Sequence, residues 1–132
     1  MAEFNVKTGK RTQLVVITCE VAKAIADEGL DSGAVLVYCP HTTAGITINE
    51  NADPDVVTDL EGTLDRLVPW DGPYRHGEGN SAAHVKSTLV GASETVPVEG
   101  GRLVLGTWQG IYFCEFDGPR TRRVQVRALS GA

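Results

Sequence analysis

Long apolar runs are missing from this chain of 132 residues. The longest, residues 14–17 and 34–39, are far too short to span a bilayer, so no membrane helix is expected. Basic residues are also in short supply. Twelve Lys and Arg stand against seventeen Asp and Glu, a net charge of −5, whereas a general nucleic-acid binder carries a basic stripe. The one basic concentration is Arg120, Arg122, Arg123 and Arg127. Apart from Arg120, it reads as the solvated face of a terminal strand. Cysteine is sparse and odd in number: Cys19, Cys39 and Cys114 lie beside strand-like apolar residues and read as buried free thiols. The opening residues 1–7 hold no apolar signal segment, and with unpaired thiols this gives the cytoplasm as the expected compartment. Repeats, linkers and low-complexity tracts are absent, so residues 1–132 are expected to form a single domain. A chain of this size buries about two-thirds of its unfolded surface and needs no disulfide or metal to fold.

Histidine is rare too, and here the few residues present are informative. There are three: His41 in Pro40-His41-Thr42-Thr43-Ala44, His76 in Tyr74-Arg75-His76-Gly77-Glu78-Gly79-Asn80, and His84 in Ser81-Ala82-Ala83-His84-Val85-Lys86. None sits in an apolar run, and no two have the His-x-x-x-His spacing of a short metal motif. Histidine is the commonest metal ligand and the readiest proton donor near neutral pH. Three at element ends could form one metal shell or one acid/base site; the alternative is three unrelated surface histidines. Cys39 two residues before His41 raises a nucleophile–base pair, although Pro40 breaks the strand between them.

Periodicity outlines the fold. Residues 4–7 and 13–18 read as strands of a hairpin around Thr8-Gly9-Lys10-Arg11. A helix follows, capped by Thr18, with Val21, Ala22, Ile25 and Ala26 on one face and Gly29 at its end. Residues 34–39 form a continuous apolar run, as in a buried central strand, and residues 45–49 alternate. The second helix opens with Asp53 as cap and Pro54 at its first position, and carries Val56, Val57, Leu60, Leu64 and Leu67. Residues 70–79 are loop. A third helix, capped by Asn80 or Ser81, is expected to turn Val85 and Leu89 inward. Strands near residues 94–98, 102–105, 111–116 and 123–128 complete the chain. Strands and helices without regular β-α-β alternation give an α+β class, with a largely antiparallel or mixed, sandwich-like sheet core and about three helices.

Three further segments bear on chemistry. Glu50, Asp53, Asp55, Asp59 and Glu61 crowd the start of the second helix, where carboxylates could hold Mg²⁺ on a diphosphate or merely complement the helix dipole. The loop from His76 delivers Gly77 and Gly79 to a helix N-terminus, whose free N–H groups favour an anion; Arg75 and Lys86 could add charge. Gly106-Thr107-Trp108-Gln109-Gly110 reads either as a Trp platform with Thr and Gln donors or as a β-bulge. Glu115-Phe116-Asp117-Gly118-Pro119-Arg120 places two acids and an Arg around a turn.

Taken in order, His41-Thr42-Thr43-Ala44, Thr47-Ile48-Asn49-Glu50-Asn51, Asp53-Pro54-Asp55-Val56, His76-Gly77-Glu78-Gly79-Asn80, His84-Val85-Lys86, Gly106-Thr107-Trp108-Gln109 and Glu115-Phe116-Asp117-Gly118-Pro119-Arg120 resemble the YjbQ family. Residues 93–111 are similar to its signature stretch. The resemblance implies an α+β domain assembled as a homotrimer. It also implies a secondary thiamine-phosphate synthase activity, a transfer joining hydroxymethylpyrimidine diphosphate to a thiazole phosphate with release of diphosphate. Carried across by motif, it makes His41, His76 and His84 metal or ligand contacts, with Glu50 beside them in a catalytic role. Asn51, Asp53, Asn80, Thr107, Trp108, Gln109 and Arg120 become the ligand-binding walls. The expected cofactor is a divalent metal, Zn²⁺ or Mg²⁺, and the expected ligand a small phosphorylated or anionic molecule. Two rivals stand beside the synthase: a non-catalytic metal- or ligand-binding homotrimer, and a metal-dependent hydrolase.

Overall fold

In the computed structural model, which describes residues 2–130, all strand pairing is antiparallel and divides between two sheets. In chain order the elements are β1 (Ala2–Lys7), β2 (Gln13–Val16), α1 (Thr18–Asp27), β3 (Gly33–Tyr38), β4 (Ala44–Glu50), α2 (Pro54–Leu67), α3 (Ser81–Val90), β5 (Ser93–Glu99), β6 (Arg102–Leu103), β7 (Gln109–Glu115) and β8 (Thr121–Ser130). The larger sheet runs β1-β8-β3-β5-β6 and the smaller β2-β7-β4. The class is α+β with three helices, as the lack of regular β-α-β alternation predicts.

The main core lies between the sheets. Val35, Val37, Val96, Val98, Val124 and Val126 come from the larger sheet; Ala44, Ile46, Ile111 and Phe113 come from the smaller; Ile17, Val21 and Ile25 come from the chain entering α1 and from α1 itself. A second cluster covers the other face of the smaller sheet. There Leu14, Tyr112, Cys114 and Phe116 meet Ala83 of α3 and Val57, Leu60 and Leu64 of α2. Strand β7 is therefore buried on both faces, Ile111 and Phe113 on one and Tyr112 and Cys114 on the other. That double burial is the physical reason for its unbroken apolar run.

Several expectations are corrected. β1 and β2 do not form a hairpin: β1 pairs with β8 and β2 with β7, because the 8–12 segment carries the chain from one sheet to the other. Thr18 does not cap α1; its Oγ1 accepts the Ile111 N–H at 2.9 Å and ties the helix start to β7. β3 is central in its sheet but buried on one face only, with Tyr38 exposed. Cys19 is exposed, unlike Cys39 and Cys114. On α3 the buried residues are Ala82, Ala83 and Lys86, while Val85 and Leu89 face out. Small residues let α3 approach β4 closely, and the larger apolar side chains are left on the far side. Leu67, at the end of α2, is also exposed.

Asp53 behaves as its position predicts. Its side chain accepts the Asp55 N–H at 2.9 Å, with Pro54 at the first helical position. Asp53→Ala is expected to cost about 0.5–2 kcal/mol in urea unfolding, since a free N–H at the helix start loses its acceptor.

Candidate functional site

Four chain segments meet at one end of the sheets around a cavity of about 500 Å³. The connection from β3 to β4 brings His41, Thr42 and Thr43. The loop before α3 brings His76, Glu78 and Asn80, and α3 brings His84. The turn from β7 to β8 and the start of β8 bring Asp117, Arg120 and Arg122. All three histidines, scattered over 44 positions of sequence, thus line one space with Asn80 and Arg120.

Its floor is a buried ion pair. Glu115 is fully buried and Arg122 is 3% exposed. Arg122 Nε donates to Glu115 Oε1 at 2.8 Å, and Nη2 bonds both Glu115 Oε2 and, at 2.8 Å, Thr43 Oγ1. Thr8 Oγ1 donates to Glu115 Oε1 and the Asp117 N–H to Oε2, each at 2.9 Å. Burial alone would raise the Glu115 carboxyl, but these bonds outweigh it and hold the group below the usual carboxylate range. The reading of Arg122 as a solvated strand residue is corrected. Its place two residues after Arg120 and seven after Glu115, on one continuous β7–turn–β8 path, is the signal that the sequence carried.

Asp117 organises the wall. Its Oδ2 accepts from Asn80 Nδ2 at 3.0 Å and from Arg120 Nη2 at 3.1 Å, and its carbonyl accepts from Arg120 Nε at 3.0 Å. Asn80 therefore occupies the N-cap position of α3 without capping it, its amide being turned to Asp117. Asn80 Oδ1 is buried and has no donor. A buried acceptor without a partner is costly, so this atom suits a hydroxyl, amine or water brought by a ligand.

The His41 ring takes the place of a strand. β3 and β8 part after the Tyr38–Gln125 pair, and two residues along β8 the Arg123 N–H donates to His41 Nε2 at 2.9 Å. A neutral imidazole has one acceptor nitrogen, so with Nε2 occupied the proton resides on Nδ1 and that atom is a donor. Burial and then the Arg122 cation lower the His41 pKa. With its folded value below the ordinary 6.5, the unfolded chain takes up the proton first on acidification. His41 is expected to stay neutral just below pH 6.5, and stability to fall as pH drops from 6.5 towards its folded value. The proton NMR shift of the His41 Cε1–H, followed against pH, checks this; a midpoint at or above 6.5 would contradict it.

His76 and His84 are close, with ring centroids 5.4 Å apart and planes at 89°. Even so, among the described residues no three His, Cys, Asp or Glu side chains are grouped to hold a metal ion. With His41 Nε2 committed to the Arg123 N–H, the three rings of one chain do not make a tetrahedral zinc set. Nor does Cys39 pair with the His41 ring. Its thiol donates to the His41 carbonyl at 3.9 Å, and burial pushes its pKa up, away from the reactive thiolate.

The other sequence candidates lie elsewhere. Asn51 and Asp53 line a separate cavity of about 480 Å³ with Gln13, Val57 and Tyr112. Glu50, Thr107, Trp108 and Gln109 line neither cavity. The Glu50 carbonyl accepts from Tyr112 OH at 2.7 Å. Gln109 Oε1 accepts the Gly106 N–H at 2.7 Å, bracing a turn from which Trp108 projects 64% exposed. These two motifs meet each other: the Asn51 N–H donates to the Trp108 carbonyl at 2.7 Å.

Comparison with known proteins agrees with this fold. The family model described as "UPF0047 protein YjbQ-like" matches residues 2–131. The chain belongs to the YjbQ family. It is 59% identical over 127 residues to UPF0047 protein YugU of Bacillus subtilis, covering 96% of each chain. It is 50% identical to a UPF0047 protein of Methanocaldococcus jannaschii, covering 96% of this chain and 92% of that one. Among solved structures, an uncharacterised YjbQ/UPF0047 protein of Clostridium acetobutylicum superposes with a TM-score of 0.94 at 54% identity, over 96% of this chain and 98% of that one. A conserved hypothetical protein of Thermus thermophilus superposes at 0.91 with 45% identity, over 98% and 100%. Among the described residues no helix is long and apolar enough to cross a membrane.

Proposed function

We propose that this YjbQ-family chain binds a small phosphorylated ligand in the histidine cavity and acts there as a secondary thiamine-phosphate synthase. The reaction joins hydroxymethylpyrimidine diphosphate to thiazole phosphate and releases diphosphate. The observation that carries the reading is that His41, His76, His84, Asn80 and Arg120 line one cavity at the start of α3. A diphosphate leaving group needs its developing charge neutralised by placed donors, with little covalent work by the protein. Arg120 supplies a cation, His41 Nδ1 a neutral N–H, and the first turn of α3 free N–H groups. Asn80 Oδ1 would accept from an amine or hydroxyl of the heterocycle. His76 and His84 remain for proton transfer.

Zn²⁺ held by three histidines of one chain does not match the donors, so no step passes through it. A divalent ion enters the proposal as Mg²⁺ accompanying the diphosphate, whose oxygens and waters supply most of its ligands. The proposed assembly is a homotrimer with the cavity near a subunit boundary. Exposed Val85 and Leu89 on α3, the helix that carries His84, give an apolar surface for such a contact. Light scattering at micromolar concentration should return three times the 14.1 kDa chain mass; a monomer would count against it.

A second reading is ligand binding without turnover, for which the unpartnered Asn80 Oδ1 and the Arg120 cation at the cavity suffice as contacts. Diphosphate release measured with both precursors decides. Release that requires thiazole phosphate and is lost in His84→Ala supports the synthase. Release from the pyrimidine diphosphate alone identifies the hydrolase. Calorimetric binding of that diphosphate without release identifies the binding protein.

A further inference from the structure

A third cavity, of about 510 Å³, lies between the 8–12 segment, α2 and α3, and the histidine site does not use it. Thr58, Glu61, Gly62 and Asp65 line it from one face of α2, at the i, i+3, i+4, i+7 spacing of neighbouring turns. Opposite them stands Lys86, only two residues beyond His84 but buried to 1% exposure on the inner side of α3. The expectation that Lys86 adds charge to the loop at His76 is thereby corrected.

The donors and acceptors here do not balance. An ammonium carries three N–H groups. Lys86 Nζ has one acceptor, Asp65 Oδ1 at 2.5 Å, and otherwise stands 5.9 Å from the centre of the Phe116 ring. That same Asp65 oxygen also accepts from Thr12 Oγ1 at 2.7 Å. Glu61 is already engaged on both oxygens, Oε1 by Lys10 Nζ at 3.1 Å and Oε2 by the Leu14 N–H at 2.8 Å. Arg11 stacks at 4.0 Å over Trp70 and has no carboxylate partner among the described residues. Two cations with unused N–H groups thus face one cavity, near Asp65 and Glu61. A buried ammonium with two unmet donors is expensive unless an acceptor arrives.

We propose that this cavity is a second ligand site, which takes the phosphate group of a small molecule with Lys86 as its anchor and Arg11 as its rim. Several oxygens on one centre suit donors that approach from different elements, Lys86 from α3 and Arg11 from the 8–12 segment. The chain has two tryptophans, so Trp108→Phe leaves Trp70, under the Arg11 guanidinium, as the only fluorophore of its kind. Inorganic phosphate titrated into that variant at constant ionic strength should change Trp70 emission saturably. Adding Arg11→Gln should weaken the response at least about tenfold, the loss of a charged hydrogen bond. Adding His84→Ala should leave it intact, which separates this site from the histidine cavity whatever the fate of the synthase reading. Lys86→Met should abolish the response while the fold, followed by circular dichroism, persists; if that variant unfolds, the Arg11→Gln result decides. No saturable change, an unaltered response in Arg11→Gln, loss of the response in His84→Ala, or acetate binding as tightly as phosphate would each overturn the proposal.

Discussion

Replacing Arg122 by Leu is expected to cost the fold about 3–5 kcal/mol, the penalty of leaving a buried charge without its partner. Glu115 is fully buried, and Arg122 makes two of its four bonds; Thr8 and the Asp117 N–H remain but carry no formal charge. The pH dependence identifies the cause. In the native chain the Glu115 pKa is held below its ordinary 4.5, so its contribution is complete above that value and fades as pH falls through the lower folded one. In Arg122→Leu, burial is no longer opposed by the guanidinium, and Glu115 takes up a proton at higher pH. Urea unfolding should therefore show the largest gap between the two proteins near neutrality and a narrowing gap in acid. A gap constant with pH would mean that Arg122 acts through packing. The double variant Glu115→Leu, Arg122→Leu should recover much of the loss, because neither charge is then buried.

Gly118→Ala is expected to cost about 1–3 kcal/mol, the usual penalty of forcing atoms into a filled space, and to weaken the histidine cavity with it. A Cβ on Gly118 would lie 2.3 Å from the Lys10 carbonyl oxygen, 2.8 Å from Glu115 Cγ and 2.9 Å from Thr8 Oγ1. The first is backbone, held where the Gly118 N–H donates to the Arg11 carbonyl at 3.2 Å, so the turn itself must move. That turn carries Asp117 and Arg120, which set the Asn80 amide. Calorimetry with inorganic diphosphate should show weaker binding in Gly118→Ala in step with a lower Tm. Unchanged binding in a destabilised variant would separate the turn from the site.

Comparison of particular residues shows what local pattern could and could not predict. The α+β class and the cap at Asp53 follow from neighbours within a few positions, where periodicity and capping chemistry act directly, whereas the three histidines stand out only by residue type and meet at one cavity through tertiary packing. Family resemblance supplied the motifs but not their grouping: Glu50 and Trp108 belong to the same motif set as His41, yet line neither its cavity nor that of Asn51. Arg122 looked like a surface residue because its charge suits solvent, and only the arrival of Glu115 from β7 and Thr43 from the β3–β4 connection makes its burial tolerable. Lys86 and Val85 exchanged their expected sides because α3 packs by its alanines, a choice made by the space against β4 and β7 rather than by hydropathy. The elements and the residue types at their ends are legible locally, since helix and strand periodicity and capping rest on contacts short in sequence. Which ends meet, which charges are paired and which donors are left unspent depend on packing between distant segments, strand partners up to 124 residues apart among them.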